Sequence, residues 1–238
     1  MAAEAAGFIT VGQCEWADFP TKVLEKHWPD VPRWRDIHGL SADDFIRRTG
    51  NNTVTVISGG FPCQPHSVAG LRKASDDERD LWPEYRRVVD EIKPRWVVAE
   101  NVRGLLSSEN GRFFRGILRD FADMGFDVGW CCFRAADIGA IHARERIAIV
   151  AYANRYRLQG GGDSQKKRVS IQLSTALSTL LLSRYGQEDY LSTPCICRKD
   201  DGLSKRLVEL KGYGNAVVPQ QFYPIFKTIY DIESEDDT

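Results

Sequence analysis

The chain has 238 residues, of which 42% are hydrophobic and 27% charged, and its formal net charge is −1 at pH 7. This composition can bury one sizeable core and excludes a disordered chain and a uniformly basic nucleic-acid coat, although 32 lysines and arginines could still cluster locally. No apolar stretch is long enough to cross a bilayer and no secretory leader pattern opens the sequence, so we expect a cytoplasmic protein.

The predicted elements alternate along the chain. Short apolar or β-branched runs predict strands at residues 53–57, 96–99, 128–133 and 147–151, and a first strand that contains residues 9–11 and ends near residue 15. Amphipathic spacing predicts helices at residues 18–27, 82–92, 111–124 and 220–232. The alternation predicts an α/β fold, a mostly parallel sheet with helices on both faces. Residues 233–237 form an acidic tail that we expect to be solvated.

The six cysteines indicate a reduced protein rather than a disulfide framework. They are Cys14, Cys63, Cys131, Cys132, Cys195 and Cys197. Adjacent and one-apart pairs are a poor basis for disulfides. The pair Cys195 and Cys197 could supply half of a zinc site, but no second pair with ligand spacing exists, so the sequence predicts no metal.

Two strand ends carry reactive side chains. The strand at residues 53–57 runs into a turn rich in glycine and proline that contains Cys63, and the strand at 96–99 runs into Glu100. Sites in open parallel sheets lie beyond the carboxyl ends of the strands, so the thiol and the carboxylate could be neighbours. The turn favours a nucleophilic role for Cys63, although a buried structural cysteine is the common alternative.

A third cluster precedes the strand at residues 147–151. In an extended chain, alternate residues share a face, so His142, Arg144 and Arg146 would point the same way. They could form a cationic, hydrogen-bonding wall for an anionic or carbonyl-bearing ligand, or a salt-bridged start of the strand. The residues alone leave both readings open.

Four motifs in this order resemble those of the DNA cytosine-5-methyltransferase family, in its phage and prophage forms. They are GGFPCQPHS at residues 59–67, AENV at 99–102, HARERIAIV at 142–150 and GYGNAVVP at 212–219. The resemblance covers most of residues 8–232. It implies a Rossmann-like fold that binds S-adenosylmethionine, and methylation of cytosine C5 in double-stranded DNA.

The resemblance implies a role for each catalytic residue. Cys63 would add to C6 of a flipped-out cytosine, Glu100 would hydrogen-bond the N3 edge of the base, and Arg146, supported by Arg144, would face the O2 side. The role of Glu100 requires a pKa raised by burial. The residues that would contact the substrate are Pro62, Gln64, Ser67, Asn101 and His142, the last of which replaces a more common glutamine.

The resemblance also implies a donor site. Glu15 would take the ribose hydroxyls, Trp16 would stack on the adenine, and Asp36 with Ile37 would line the adenine edge. Two more residues would complete the pocket, Leu81 and Asn215. Read without the family, Trp16 is more typical of a core residue.

The sequence departs from the family pattern at two places. The opening FxGxGG turn and its strand are absent, and residues 1–8 resemble the end of the helix that follows them. A late start codon, a decayed gene or a second chain that supplies the segment would explain this. The sequence then divides into a catalytic core at 1–153, a short target-recognition region at 154–212 and a returning C-terminal part at 213–238. A catalytically silent DNA-binding remnant is the alternative to an enzyme.

Overall fold

The computed structural model describes residues 1–62, 81–135, 144–153 and 217–236. Within them are six α-helices and six strands, which alternate as far as the fifth strand. The helices are α1 (Ala2–Ala5), α2 (Asp18–His27), α3 (Ala42–Thr49), α4 (Trp82–Ile92), α5 (Arg112–Asp123) and α6 (Pro219–Asp236). The strands are β1 (Gln13–Cys14), β2 (Arg33–Trp34), β3 (Val56–Gly60), β4 (Trp96–Val102), β5 (Phe126–Arg134) and β6 (Glu145–Ala153). The predicted α/β class is confirmed.

The main sheet has the strand order β3-β4-β6-β5, and β6 alone runs against its neighbours. Three of these four strands run in the same direction, as expected for a mostly parallel sheet, and the reversed β6 makes the sheet mixed. Helical connections carry the chain from β3 to β4 and from β4 to β5, whereas only ten residues separate Arg134 from Glu145. A parallel return requires a crossover of about a dozen residues or more, so the short connection produces an antiparallel pair.

Helices cover both faces of this sheet, as predicted. Alternation along β4 points Trp96 and Val98 towards α6, and Val97 and Ala99 towards α4 and α5. On the second face, α5 contributes Phe114, Ile117 and Phe121, which recur at helical spacing and are almost fully buried. Strands β4 and β6 lie in the middle of the sheet. They are apolar over most of their length because both of their faces are covered.

The first predicted strand is only partly correct. Residues 9–11 form no strand and Ile9 is 86% exposed, whereas the two-residue β1 lies just beyond them and pairs in parallel with β2. The strand predicted at residues 53–57 also begins and ends later, so both of its following glycines belong to β3. In contrast, α2 and α4 have the predicted bounds. Among the helices of the described ranges, none is long and apolar enough to cross a membrane.

The acidic C-terminal segment is not simply solvated, because α6 extends through it. Glu233 accepts a 2.7 Å hydrogen bond from Trp96 Nε1 and lies 2.9 Å from Arg95 Nη1, and its side chain is 14% exposed. The expectation for Glu233 is therefore wrong. Two partners at the start of β4 hold this carboxylate, so it joins α6 to the sheet.

We predict that Glu233→Gln lowers the free energy of unfolding by about 1–3 kcal/mol, because it weakens a largely buried, charge-assisted bond and leaves Arg95 without its ion pair to Glu233. Asp231→Asn on the same helix is the matched control, since Asp231 pairs with the exposed Lys227 and such pairs contribute little. Urea titration of both variants measures the effect. Equal stability of the two variants would contradict the role of Glu233 in joining α6 to the sheet.

Candidate active site

The candidate site is built where β3, β4 and β6 meet at one edge of the main sheet. In the register of these strands, Gly60 lies opposite Glu100, and Arg146 lies opposite Val102. Because β6 is reversed, its first residues reach the edge where β3 and β4 end. Alternation along the strands places Glu100, Arg144 and Arg146 on the face that α6 covers.

Glu100 and Arg146 form an ion pair, with 2.6 Å between Glu100 Oε1 and Arg146 Nε. Their side chains are 15% and 16% exposed. Burial raises the pKa of Glu100, while the charges of Arg146 and Arg144 and the hydrogen bond from Arg146 oppose that rise. The carboxyl therefore keeps its proton to a higher pH than an exposed glutamate does, as the sequence analysis required.

Arg144 lies beside this pair. Burial and the positive charge of Arg146 lower the pKa of Arg144, and the negative charge of Glu100 acts against them. The carbonyl oxygen of Arg144 accepts a 3.3 Å hydrogen bond from Nε2 of the fully buried Gln221 on α6. The ion pair of Arg146 with Glu100 matches the salt-bridged start of the strand, one of the two readings that the sequence left open. The C-terminal helix supports this start of the strand through Gln221.

The segment that leads to Cys63 is anchored by its last described residues. Phe61 is buried against Trp82 and Tyr85, with ring centroids 5.2 Å and 5.9 Å away. The buried Asn101 donates a 3.3 Å bond from Nδ2 to the Phe61 carbonyl and accepts one at Oδ1 from the Val102 amide. Pro62 is exposed. Asn101 thus holds the end of β3 beside the Glu100 carboxylate.

A second edge, formed by β1 and β2, carries the residues predicted to bind the donor. Glu15 and Asp36 follow these two parallel strands, and the Glu15 amide donates to the Trp34 carbonyl at 2.9 Å. Desolvation and the nearby charges of Asp36 and Glu15 raise the pKa of Cys14 to about 11. This effect indicates that the two carboxylates lie close to the same thiol.

Three other predicted donor contacts, Trp16, Ile37 and Leu81, lie in the described part of the chain. Trp16 is 73% exposed, so its alternative assignment to the core is wrong. Ile37 is partly buried and follows Asp36 in a short turn, and Leu81 immediately precedes α4. The exposed Trp16 ring and the carboxylates of Glu15 and Asp36 are chemically suited to an adenosine group, with its aromatic base and ribose hydroxyls.

Several predicted residues lie outside the described part of the chain, namely Cys63, Gln64, Ser67, His142 and Asn215. The proposed target-recognition region lies outside it as well. Within the described ranges, no three His, Cys, Asp or Glu side chains are grouped so that they could hold a metal ion.

Two contributors to the site were missed from the sequence. Gln221 could have been noticed as a polar residue among the apolar positions of the closing helix. Gly60 was interpreted as a turn residue, but it is a strand position where a side chain does not fit. A Cβ at Gly60 would lie 2.8 Å from Glu100 Oε2, closer than ordinary contacts.

We therefore predict that Gly60→Ala displaces the Glu100 carboxylate and lowers any activity that depends on it by about tenfold or more, because a misplacement of about 1 Å can cost two orders of magnitude. The helical Gly116 is the control, since a Cβ there meets nothing within 4 Å. Gly116→Ala should stabilise the protein by about 0.5–1 kcal/mol with unchanged activity. Steady-state kinetics of both variants test this, and a fully active Gly60→Ala would exclude the contact.

Comparison with known proteins agrees with this geometry. The C-5 cytosine-specific DNA methylase family matches residues 1–214. The chain belongs to this family. Members of the C-5 cytosine methylase family use S-adenosylmethionine as the methyl donor. The resemblance read from the four sequence motifs is confirmed.

Curated members of the C-5 cytosine methylase family match the chain over part of their length. The type II methyltransferase M.NgoMIV of Neisseria gonorrhoeae is 35% identical over 153 residues, which are 64% of this chain and 47% of that protein. M.Eco47II of Escherichia coli is 37% identical over 63% of this chain and 36% of that protein. The chain therefore matches about half, or less, of the length of these relatives.

Solved structures support the fold of the family. A prophage-encoded DNA modification methyltransferase of E. coli has a TM-score of 0.56 at 23% identity, over 67% of this chain and 44% of that one. The Dnmt2 methyltransferase of S. pombe has a TM-score of 0.53 at 16% identity, over 91% of this chain and 64% of that one. The sheet described above is thus of the methyltransferase type.

Proposed function

We propose that the protein methylates cytosine C5 in double-stranded DNA, through a covalent bond between Cys63 and C6 of a flipped-out base. The observation that carries the proposal is Glu100, a buried carboxyl with a raised pKa beside the strand end that leads to Cys63. Family membership supports the same reaction.

Three side chains of the protein, those of Cys63, Glu100 and Arg146, would act on the cytosine ring. The Cys63 thiolate adds to C6, which makes the ring enamine-like and C5 nucleophilic. Glu100, in its protonated form, donates a hydrogen bond to N3 and so stabilises the charge that the addition places on the ring. Arg146 would place its positive charge beside O2 of the base and offset negative charge there. C5 would then take the methyl group from the sulfonium, which leaves as a neutral thioether. Loss of the C5 proton to solvent, followed by departure of the thiolate, would restore the aromatic ring.

The methyl donor would be S-adenosylmethionine, which supplies an electrophilic methyl group on a sulfonium. Glu15 would accept hydrogen bonds from the ribose hydroxyls, and Trp16 would stack on the adenine. Asp36, Ile37, Leu81 and Asn215 would complete the pocket. The partial exposure of Glu15 and the 73% exposure of Trp16 support this assignment.

The substrate cytosine would leave the duplex, because the side chains of this edge cannot reach a base inside the stack. Contacts to the base and its flanks are proposed for Pro62, Gln64, Ser67, Asn101 and His142. We assign target recognition to residues 154–212, the catalytic core to 1–153 and the closing part to 213–238. Basic residues in the recognition region suit phosphate contact; they are Lys166, Lys167, Arg168, Arg184, Arg198 and Lys205.

A direct test is transfer of a labelled methyl group from S-adenosylmethionine to DNA, followed by nucleoside analysis. We expect the label in 5-methylcytosine. Label in another base would contradict the reaction, and an inactive protein that still binds DNA would favour the silent DNA-binding alternative. DNA carrying 5-fluorocytosine adds a second measurement, because the covalent complex cannot lose fluorine from C5 and should persist when the donor is present.

A further inference from the structure

Arg87 on α4 makes a set of contacts that no role in the proposed reaction has yet used. Its Nη2 donates to the Ile37 carbonyl at 2.8 Å, and its Nη1 donates to the Leu40 carbonyl at 3.0 Å. These two carbonyls span the short turn Ile37–Gly39 between β2 and α3. The guanidinium therefore joins α4 to the main chain directly after Asp36.

Two glutamates on the same helix hold the guanidinium in place. Arg87 Nε lies 2.8 Å from Glu84 Oε2, and Arg87 Nη1 lies 2.9 Å from Glu91 Oε1. Glu91 Oε2 also accepts a 3.0 Å hydrogen bond from the Ala42 amide, at the start of α3. Bonds to Glu91 and Glu84 outweigh partial burial and raise the pKa of Arg87, so its donors are permanently available.

Short-range bonds also close the turn. The Gly39 amide donates to the Asp36 carbonyl and the Leu40 amide to the Ile37 carbonyl, while Asp36 Oδ1 accepts from the His38 amide at 3.0 Å and lies 2.7 Å from His38 Nδ1. The two bonds from Arg87 add what these local bonds lack, a tie from the turn to α4. Helix α4 begins directly after Leu81, six residues before Arg87. Arg87 therefore connects the helix that follows Leu81 to the turn that follows Asp36, and both residues belong to the proposed donor pocket.

We propose that Arg87 is the positioning residue of the methyl-donor site, which sets the turn bearing Asp36 and Ile37 relative to Leu81. This inference rests on the proposed function. The geometry requires arginine, because a guanidinium presents separate donors in a rigid plane whereas lysine carries all of its donors on one atom. Lysine would keep the charge beside Glu84 and Glu91 but could not hold both carbonyls and both carboxylates.

The test compares Arg87→Lys and Arg87→Met with Arg86→Met. Arg86 is the adjacent arginine on α4 and pairs with Asp120 on α5 at 2.9 Å. We expect both Arg87 variants to raise the Kd and KM for S-adenosylmethionine by about tenfold or more, with kcat and the KM for DNA changed far less. Arg86→Met should change the donor Kd by less than about twofold, since it keeps the turn.

Hydrogen exchange at the amides of Gly39, Leu40 and Ala42 provides a second measurement. These amides should exchange faster in Arg87→Lys than in the wild type or Arg86→Met. If the wild type and Arg87→Lys bind the donor equally well, the inference about Arg87 is overturned and the proposed function is left intact. If the wild type binds no donor, both the inference and the proposed function are overturned. Hydrogen exchange then shows separately whether Arg87 holds the turn.

Discussion

Replacement of Cys63 by serine should abolish methyl transfer, with a loss on the order of 10⁴-fold or more, as is typical when a covalent nucleophile is removed. Serine keeps the size of the side chain, but its hydroxyl is rarely ionised near neutral pH and adds poorly to C6. Steady-state transfer of labelled methyl groups measures the loss. Donor and DNA affinities should remain, because the substitution removes the attacking sulfur and little else.

A matched cysteine and a covalent trap make this prediction specific. Cys132→Ser is the control, since Cys132 is a partly buried thiol on β5 and takes no part in the proposed reaction. With 5-fluorocytosine DNA and the donor, the wild type and Cys132→Ser should give a complex that survives denaturing gels, and Cys63→Ser should give none. A covalent complex in Cys63→Ser would assign the nucleophile to another residue.

Replacement of Glu100 by glutamine should lower kcat by about 10²–10⁴-fold, the usual contribution of a positioned acid or base. Glutamine fills the same space and can donate a hydrogen bond, but it cannot carry or exchange the proton. It also removes the negative charge of Glu100 from beside Arg146 and Arg144. Glu145→Gln is the control, because Glu145 is the next carboxylate along this edge and pairs with the exposed Arg103 instead.

The raised pKa of Glu100 also predicts how stability depends on pH. A carboxyl whose pKa is higher in the folded state binds its proton more tightly there, so its contribution is complete below the unfolded pKa of about 4.5. That contribution is lost as the pH rises through the folded pKa. The wild type should therefore lose stability relative to Glu100→Gln across this window, measured by urea titration at several pH values. If the stability difference between the wild type and Glu100→Gln were the same at every pH, it would contradict a pKa of Glu100 raised by burial.

The sequence was most informative where one local signal decides the structure. The bounds of α4 could be predicted because Lys93 and Pro94 end its apolar spacing, and Lys93 adopts the left-handed backbone conformation. Glu100 could be placed at the site because its motif follows a buried run of apolar residues. The direction of β6 could not be predicted, since periodicity reports which faces are buried and not which way a strand runs.

Long-range partners were also beyond the sequence. Glu233 resembled a solvated tail because its neighbours are acidic, whereas Trp96, 137 positions earlier, supplies a hydrogen bond to it. The close approach of Gly60 to Glu100 depends on the register between β3 and β4, which no local pattern specifies. The roles of Gln221 and Arg87 likewise depend on contacts between distant segments.

The direction of β6 determines which residues lie beside Glu100. The segment that leaves β3 after Pro62 and the segment that arrives at Arg144 both connect to the sheet edge where Glu100 lies. A parallel β6 would instead have brought its last residues, Tyr152 and Ala153, to this edge. The reversal thus places the two arginines, rather than an apolar strand end, beside the Glu100 carboxylate, so the electrostatics of this edge depend on the direction of a single strand.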